Sequence, residues 1–277
     1  MKSRLRKAMM TVLFIQLLLF GLAIFGGNTI HSLSEEYFKK LESRVLLRKN
    51  YIQDEMLQYG SNLMDFEGYI QKEVNEIGMH DDLSLTSDLL EEVADQTVFA
   101  LRQSGVTEIF IILEGKQGHE GIYLRDLDPS FNANDNSDIL MERGSVDIAR
   151  KIGVPLDSQW ALKYKLPEDD EGSEFYYKPF RAAQSYADME PKDLGYWSRP
   201  FRLSPNDVEI ITYSIPLVDG EGNTYGVIGL GLTTDYLRGK LKYDELVTNK
   251  RGAYLLGVDN TDRGTFNKIV SSGPMYK

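Results

Sequence analysis

Eighteen consecutive residues near the N-terminus, Ala8 to Phe25, carry no charged side chain. Gly26 and Gly27 extend the stretch to 20 residues, about the length a helix needs to cross the hydrocarbon layer. Lys2, Arg4, Arg6 and Lys7 precede it and are the only charged residues among the first 34. Basic residues are retained on the cytoplasmic side of a span. The expectation is a cytoplasmic tip at 1–7, one membrane-spanning helix at 8–27, and residues 28–277 outside the cell. The rival reading is a cleaved signal peptide, whose apolar region is usually about 7–15 residues and ends at a small-x-small site. Here the run is longer, and Phe25 interrupts the Ala23 to Gly26 region.

The rest of the chain is acidic. Lys and Arg number 31 against 42 Asp and Glu, a net charge of −11, and the part beyond residue 34 carries −15. Nucleic-acid binding needs a basic surface that displaces counterions, so that class is excluded. A hydrophobic content of 42% supports a packed core and excludes wholesale disorder. With no Cys, disulfides, thiolate catalysis and iron–sulfur ligation are out. Three scattered His do not supply a histidine-rich metal site. No G-x-S-x-G, H-E-x-x-H, P-loop or dinucleotide fingerprint occurs, so no catalytic residue, cofactor or metal is assigned. The loop Asp126 to Asp138 is dense in oxygen ligands but lacks EF-hand spacing.

The first Pro is Pro129. Before it, apolar residues keep a heptad-like register: Ile30, Leu33, Tyr37, Leu41, Val45, Ile52, Met56, Tyr59, Leu63, Phe66, Ile70, Val74 and Ile77. That spacing predicts one long amphipathic helix over 28–79. Arg48 sits where the seam should be apolar, and Gly60 and Gly68 weaken the interior. The stripe suits packing on the chain's own domain in its distal part and pairing with a second copy nearer the membrane. A second helix is predicted from Ser87 to Gly105, with acids in its first turn and Gly as its stop.

From residue 106 the pattern turns strand-rich. Thr107–Leu113 and Ile122–Leu127 read as a hairpin about a Gly115–Gly121 turn. Residues 129–138 read as a polar loop, and 139–152 as helical in part. The acidic run 167–173 reads as a solvated turn. Val208–Leu217, the turn 219–223 and Thr224–Leu232 form a second hairpin. The strand 224–232 is apolar on both faces and therefore central, and Gly226, Gly229 and Gly231 allow close approach. Asp235–Leu246 reads as a short helix. The fold class is α+β, an antiparallel sheet covered by helices.

The order of anchor, long helix, hairpin, EFYYKPFRAA (174–183), GYWSRPF (195–201) and ITYSIPLVDGEGNTYGVIGLGL (211–232) resembles the extracellular double Cache, PAS-like sensor domains of bacterial transmembrane receptors. The resemblance covers about residues 28–277. It implies a membrane-distal, ligand-binding module at 80–246 and the start of a truncated, membrane-proximal module at 247–277, its first strand at 251–258. It also implies a missing second membrane helix and a cytoplasmic output domain, a histidine kinase or a diguanylate cyclase. The candidate ligand-binding residues are Tyr176, Tyr177, Arg181, Tyr196, Trp197, Arg199 and Tyr213: aromatics enclose a small molecule and an Arg can fork onto a carboxylate. The family's amino-acid-binding members carry Arg-x-Trp-Tyr, Tyr-x-Asp and an Asp after the G-V-x-G-x run. Here Tyr177–Phe180, Tyr196–Ser198 and Gly231 stand at those places, so both ammonium-holding carboxylates are absent. A carboxylate-bearing or uncharged metabolite is the expected ligand.

The function expected is small-molecule sensing in a two-component or cyclase receptor, with the lipid bilayer and a second copy of the chain as further partners. The alternatives are a secreted or tethered solute-binding module without signalling, and a tethered hydrolase, for which no constellation is present.

Overall fold

The computed structural model describes residues 2–78, 85–115, 118–129, 135–246, 252–260 and 265–274, with residues 2–34 (Gln16 apart), 258–260 and 265 as backbone alone. Helix α1 runs unbroken from Lys2 to Ile77, 76 residues, or roughly 110 Å at the usual rise. Gly60 and Gly68 lie inside it without ending it. Among the described residues no helix is long and apolar enough to cross a membrane; the span expected at 8–27 lies in the part of α1 whose side chains fall outside the description.

The predicted helix 87–105 is two helices, α2 (Thr86–Glu92) and α3 (Ala94–Ser104), divided at Val93. Gly105 ends α3 in the left-handed conformation, φ 60°, which costs glycine nothing. There follow β1 (Glu108–Gly115), β2 (Gly118–Asp126), β3 (Ile139–Arg143), α4 (Val146–Ile152), β4 (Leu156–Ala161), α5 (Glu174–Ser185), β5 (Tyr196–Trp197), β6 (Ile210–Val218), β7 (Thr224–Thr233) and α6 (Thr234–Lys240). A separate hairpin, β8 (Tyr254–Asn260) and β9 (Thr265–Ser272), follows. The strand expected at 251–258 thus starts at Tyr254, and Arg251 lies outside the described residues. The helix expected at 235–246 stops at Lys240 and is followed by a 3-10 turn at Tyr243–Glu245.

Seven strands form one sheet in the order β4-β3-β2-β1-β7-β6-β5. The expected all-antiparallel pairing needs one correction: β4 runs parallel to β3, because α4 carries the chain back across the helical face between them. Strand β7 is central as expected, held by β1 on one side and β6 on the other.

Strand alternation divides the core in two. Ile109, Ile111 and Leu113 of β1, with Ile228, Leu230 and Leu232 of β7, point to the face covered by α1, α2, α3 and α4. Tyr59, Leu63, Phe66, Ile70 and Val74 bring the distal third of α1 into that layer. Phe110, Ile112, Tyr123 and Val227 point to the opposite face, where Phe175 and Tyr176 of α5 close over them. Gly229 permits this second layer: a Cβ there would stand 2.3 Å from the Phe110 ring.

Candidate functional site

The end of the sheet where β1 turns into β2 opens into a cavity of about 690 Å³. Its walls come from the β1–β2 hairpin (Glu114, His119), one flank of α5 (Tyr177, Phe180, Arg181, Gln184) and the β6–β7 turn (Asp219, Asn223, Thr224). The hairpin brings Glu114 opposite His119, so the imidazole Nε2 lies 3.2 Å from the carboxylate. The Tyr176 hydroxyl donates to the same Glu114 oxygen. Those bonds, His119 first, hold the Glu114 carboxyl below its ordinary range. Burial pushes the Tyr176 hydroxyl far up, and the Glu114 charge adds to it, so the phenol stays a donor.

An aromatic wall backs the pair. His119 meets Tyr176 edge-on at 4.8 Å, Tyr176 meets Tyr177 edge-on at 5.0 Å, and Phe180 stacks on Tyr176 at 5.3 Å. The Tyr177 hydroxyl is anchored on the Leu166 carbonyl at 2.9 Å. The Arg181 guanidinium lies 4.9 Å over the Tyr177 ring and pairs with Glu168 at 2.5 Å. Both partners of that pair are exposed, so an incoming carboxylate can replace Glu168 at little cost. Aromatic rings, one reachable guanidinium and side-chain amides can enclose and orient a small polar molecule.

The seven expected residues do not form one pocket. Tyr177 and Arg181 line the cavity; Tyr176 lies in the wall behind them, fully buried. Tyr196 and Arg199 belong to a second place, around Glu174: the Tyr196 hydroxyl donates to it at 2.7 Å and the Arg199 Nε lies 4.0 Å away. Trp197 and Tyr213 pack together, ring centres 5.1 Å apart, on the α1 side of the β5–β6 edge. Strand alternation separates Trp197 from Tyr196. Sequence reading missed Glu114 and His119, whose signal was the hairpin register, and the α5 helix that carries Tyr176 through Arg181.

At Gly231, where no carboxylate was expected, one is supplied from the next strand. Glu108 pairs across to Gly231, and its carboxylate lies 2.7 Å from where a Gly231 Cβ would stand. Asp126 and Asp138, at the two ends of the oxygen-rich stretch, are held by a cation of the chain itself: Arg102 bonds Asp126 at 2.7 Å and Asp138 at 2.6 Å. Among the described residues no group of His, Asp and Glu is arranged to hold a metal.

A wider cleft, about 950 Å³, lies between α1 and the chain after α6, lined by Arg44, Arg48, Lys240 and Lys242. Arg48 is already answered by Glu245 and Lys240 by Glu55. The first cavity differs in its continuous aromatic wall of Tyr176, Tyr177 and Phe180.

No family model matches the chain, and no curated protein does. Among solved structures it is similar to a methyl-accepting chemotaxis protein, at 12% identity over 79% of this chain and 73% of that one, TM-score 0.39. It is similar to the periplasmic sensory domain of the Campylobacter jejuni chemoreceptor Tlp1, at 13% identity over 80% and 69%, TM-score 0.40. It is also similar to the ligand-binding domain of the Campylobacter jejuni chemoreceptor Tlp3 in complex with 4-methylisoleucine, at 12% identity over 85% and 70%, TM-score 0.39. The chain is thus similar to sensor domains of bacterial receptors.

Proposed function

We propose that the chain is the extracytoplasmic small-molecule sensor of a membrane-anchored receptor. The reading rests on one observation above all. A single helix, α1, runs from Lys2 through the apolar segment 8–27 and carries Tyr59 to Val74 into the core beneath the sheet. A change in the sheet layer is therefore delivered to the segment read as the membrane span without an intervening loop. The energy available is the ligand's difference in affinity for two arrangements of that rod.

In this reading residues 80–246 form the ligand module, and 247–277 begin a second, membrane-proximal one. The ligand enters the Tyr177–Arg181 cavity, and a carboxylate-bearing or uncharged metabolite suits its walls. The receptor's output in this reading is a histidine kinase or a diguanylate cyclase. The exposed apolar side chains Tyr37, Phe38, Val45, Leu46 and Leu47 suit pairing of α1 with a second copy in the membrane-near region.

The test is a thermal-shift screen of the full chain against a metabolite library, repeated on Arg181→Ala and Tyr177→Ala. A compound that raises the melting temperature of the parent and loses that effect in both variants supports the cavity. A stabilising compound indifferent to both places the site elsewhere, and stabilisation by α-amino acids alone removes the ligand class proposed.

A further inference from the structure

At the end of the sheet away from the cavity, one guanidinium is surrounded by three carboxylates. Arg125 of β2 bonds Glu108 of β1 through Nε at 2.7 Å and Asp207, in the chain before β6, through both terminal nitrogens at 2.7 and 3.0 Å. Its Nη1 also lies 2.6 Å from Glu142 of β3. All four side chains are buried, the most exposed of them, Arg125, at 9%. Glu108 and Asp207 take three of the five guanidinium N–H donors, the one on Nε and one each on Nη1 and Nη2. Glu142 has a close approach without bond geometry, and its Oε1 is a buried oxygen with no hydrogen-bond partner.

Glu142 is also the least firmly held of the three. The register of β2 with β3 steps from Tyr123↔Arg143 to Leu124↔Met141, so Glu142 is the extra residue of a bulge. The pairing of β3 with β4 is irregular at the same place. Bulges re-aim a side chain and loosen the ladder locally.

The other charges facing Glu142 do not balance it. Arg143, on its own strand, stands 3.8 Å from Oε2 and spends its Nη1 on the Glu142 and Gln159 carbonyls. Asp157 of β4 and Glu108 and Asp207 add negative charge, and the Tyr164 hydroxyl is buried nearby. Removing three carboxylates from water around one guanidinium leaves a buried excess negative charge, which is expensive. The cheapest remedy is a proton.

We propose that Glu142 takes up a proton from solvent and makes this module a sensor of acidity, independent of the ligand cavity. Protonated, Glu142 donates within the cluster and leaves Arg125 to two carboxylates. Ionised, it sets a third negative charge against Glu108 and Asp207 and drives β3 outward at its bulge. Burial first, then the neighbouring carboxylates, push the Glu142 carboxyl up to about 7 against the opposing pull of Arg125. A carboxyl raised on folding contributes stability below its unfolded value and loses it as pH rises through its folded value. The affected window is therefore pH 5 to 8. Glu114 and Glu245 are held below the ordinary range, whereas burial raises Glu67, Glu108 and Asp126 as well, so the difference between parent and Glu142 variant is what isolates Glu142.

The experiment compares melting temperatures of the full chain and Glu142→Gln from pH 5 to 8. The variants should coincide near pH 5. By pH 8 the Gln form, which keeps the neutral state, should melt higher by about 5 °C. A difference between the two that does not change with pH overturns the proposal, as does a Gln form that melts lower at pH 8 than at pH 5 relative to the parent. Should Glu142→Gln not fold, Glu142→Asp withdraws the carboxylate from Arg125 while leaving it titratable. The pH at which the parent's melting temperature falls should then move, and an unmoved midpoint overturns the proposal equally.

Discussion

Arg48 of α1 grips Glu245, 197 residues further along the chain, with Nε donating to Oε1 at 2.8 Å and Nη2 to Oε2 at 2.5 Å. The Tyr254 hydroxyl of β8 donates to the same carboxylate at 2.8 Å. One carboxylate thus ties the long helix, the end of the sheet module and the first strand of the next hairpin. Arg48 breaks the apolar seam of the helix in sequence. In space it is the point where the helix is clasped.

Glu245→Ala should therefore cost about 1–2 kcal/mol, the range for a partly exposed charge-assisted pair, read as a lower urea midpoint with unchanged slope. The bond from Arg48 holds the Glu245 carboxyl below its ordinary range. Its contribution is present above about pH 4.5 and fades as pH falls through the lowered value. The parent and variant midpoints should converge in acid.

Arg102→Ala should be more damaging. It leaves Asp126, whose side chain is 1% exposed, without its counter-charge. Stranding a buried ion costs about 3–5 kcal/mol. The same arrangement predicts that millimolar calcium leaves the parent's melting temperature unchanged; a calcium-dependent rise would show that the loop 126–138 is a metal site instead.

Gly229→Ala should destabilise the sheet by about 1–3 kcal/mol or more through overpacking. The added methyl meets the Phe110 ring at 2.3 Å and the Tyr213 carbonyl at 2.7 Å. Gly220→Ala meets nothing within 4 Å and serves as the control in the same denaturation series. Equal behaviour of the two would mean that Phe110 does not lie over β7.

Along α1 the two ends should respond differently. Phe66→Ala, in the core at 2% exposure, should cost about 3–5 kcal/mol. Leu46→Glu and Leu47→Glu, both on exposed side chains, should leave the melting temperature nearly unchanged but lower the association constant in sedimentation equilibrium. Unaltered association would remove the second copy from that surface.

The elements legible in the sequence are those whose signal is local. The register Tyr59, Leu63, Phe66, Ile70, Val74 identifies both a helix and its buried face. The turn 219–223 between alternating apolar runs identifies the β6–β7 hairpin. Helix α5 was not legible as a helix, because Pro179 lies inside it and forfeits one backbone bond. Burial of Phe175, Tyr176, Pro179 and Ala183 on one flank outweighs that loss. The single helix expected at 87–105 turns at Val93, whose own backbone still bonds to Leu89 and Thr97; no local residue signals that division.

Periodicity alone settles the long N-terminal helix and the two hairpins, since each depends on neighbours a few residues apart, and composition gives the acidic body and the lack of thiols. Which side chains share a site was decided only when β1 was placed between β2 and β7. That placement sets Glu114 against His119, Glu108 beside Gly231, and Arg125 among carboxylates from three separate parts of the chain. Tyr196 and Trp197 are adjacent in sequence yet face opposite layers, because a strand sends successive side chains to opposite sides of the sheet.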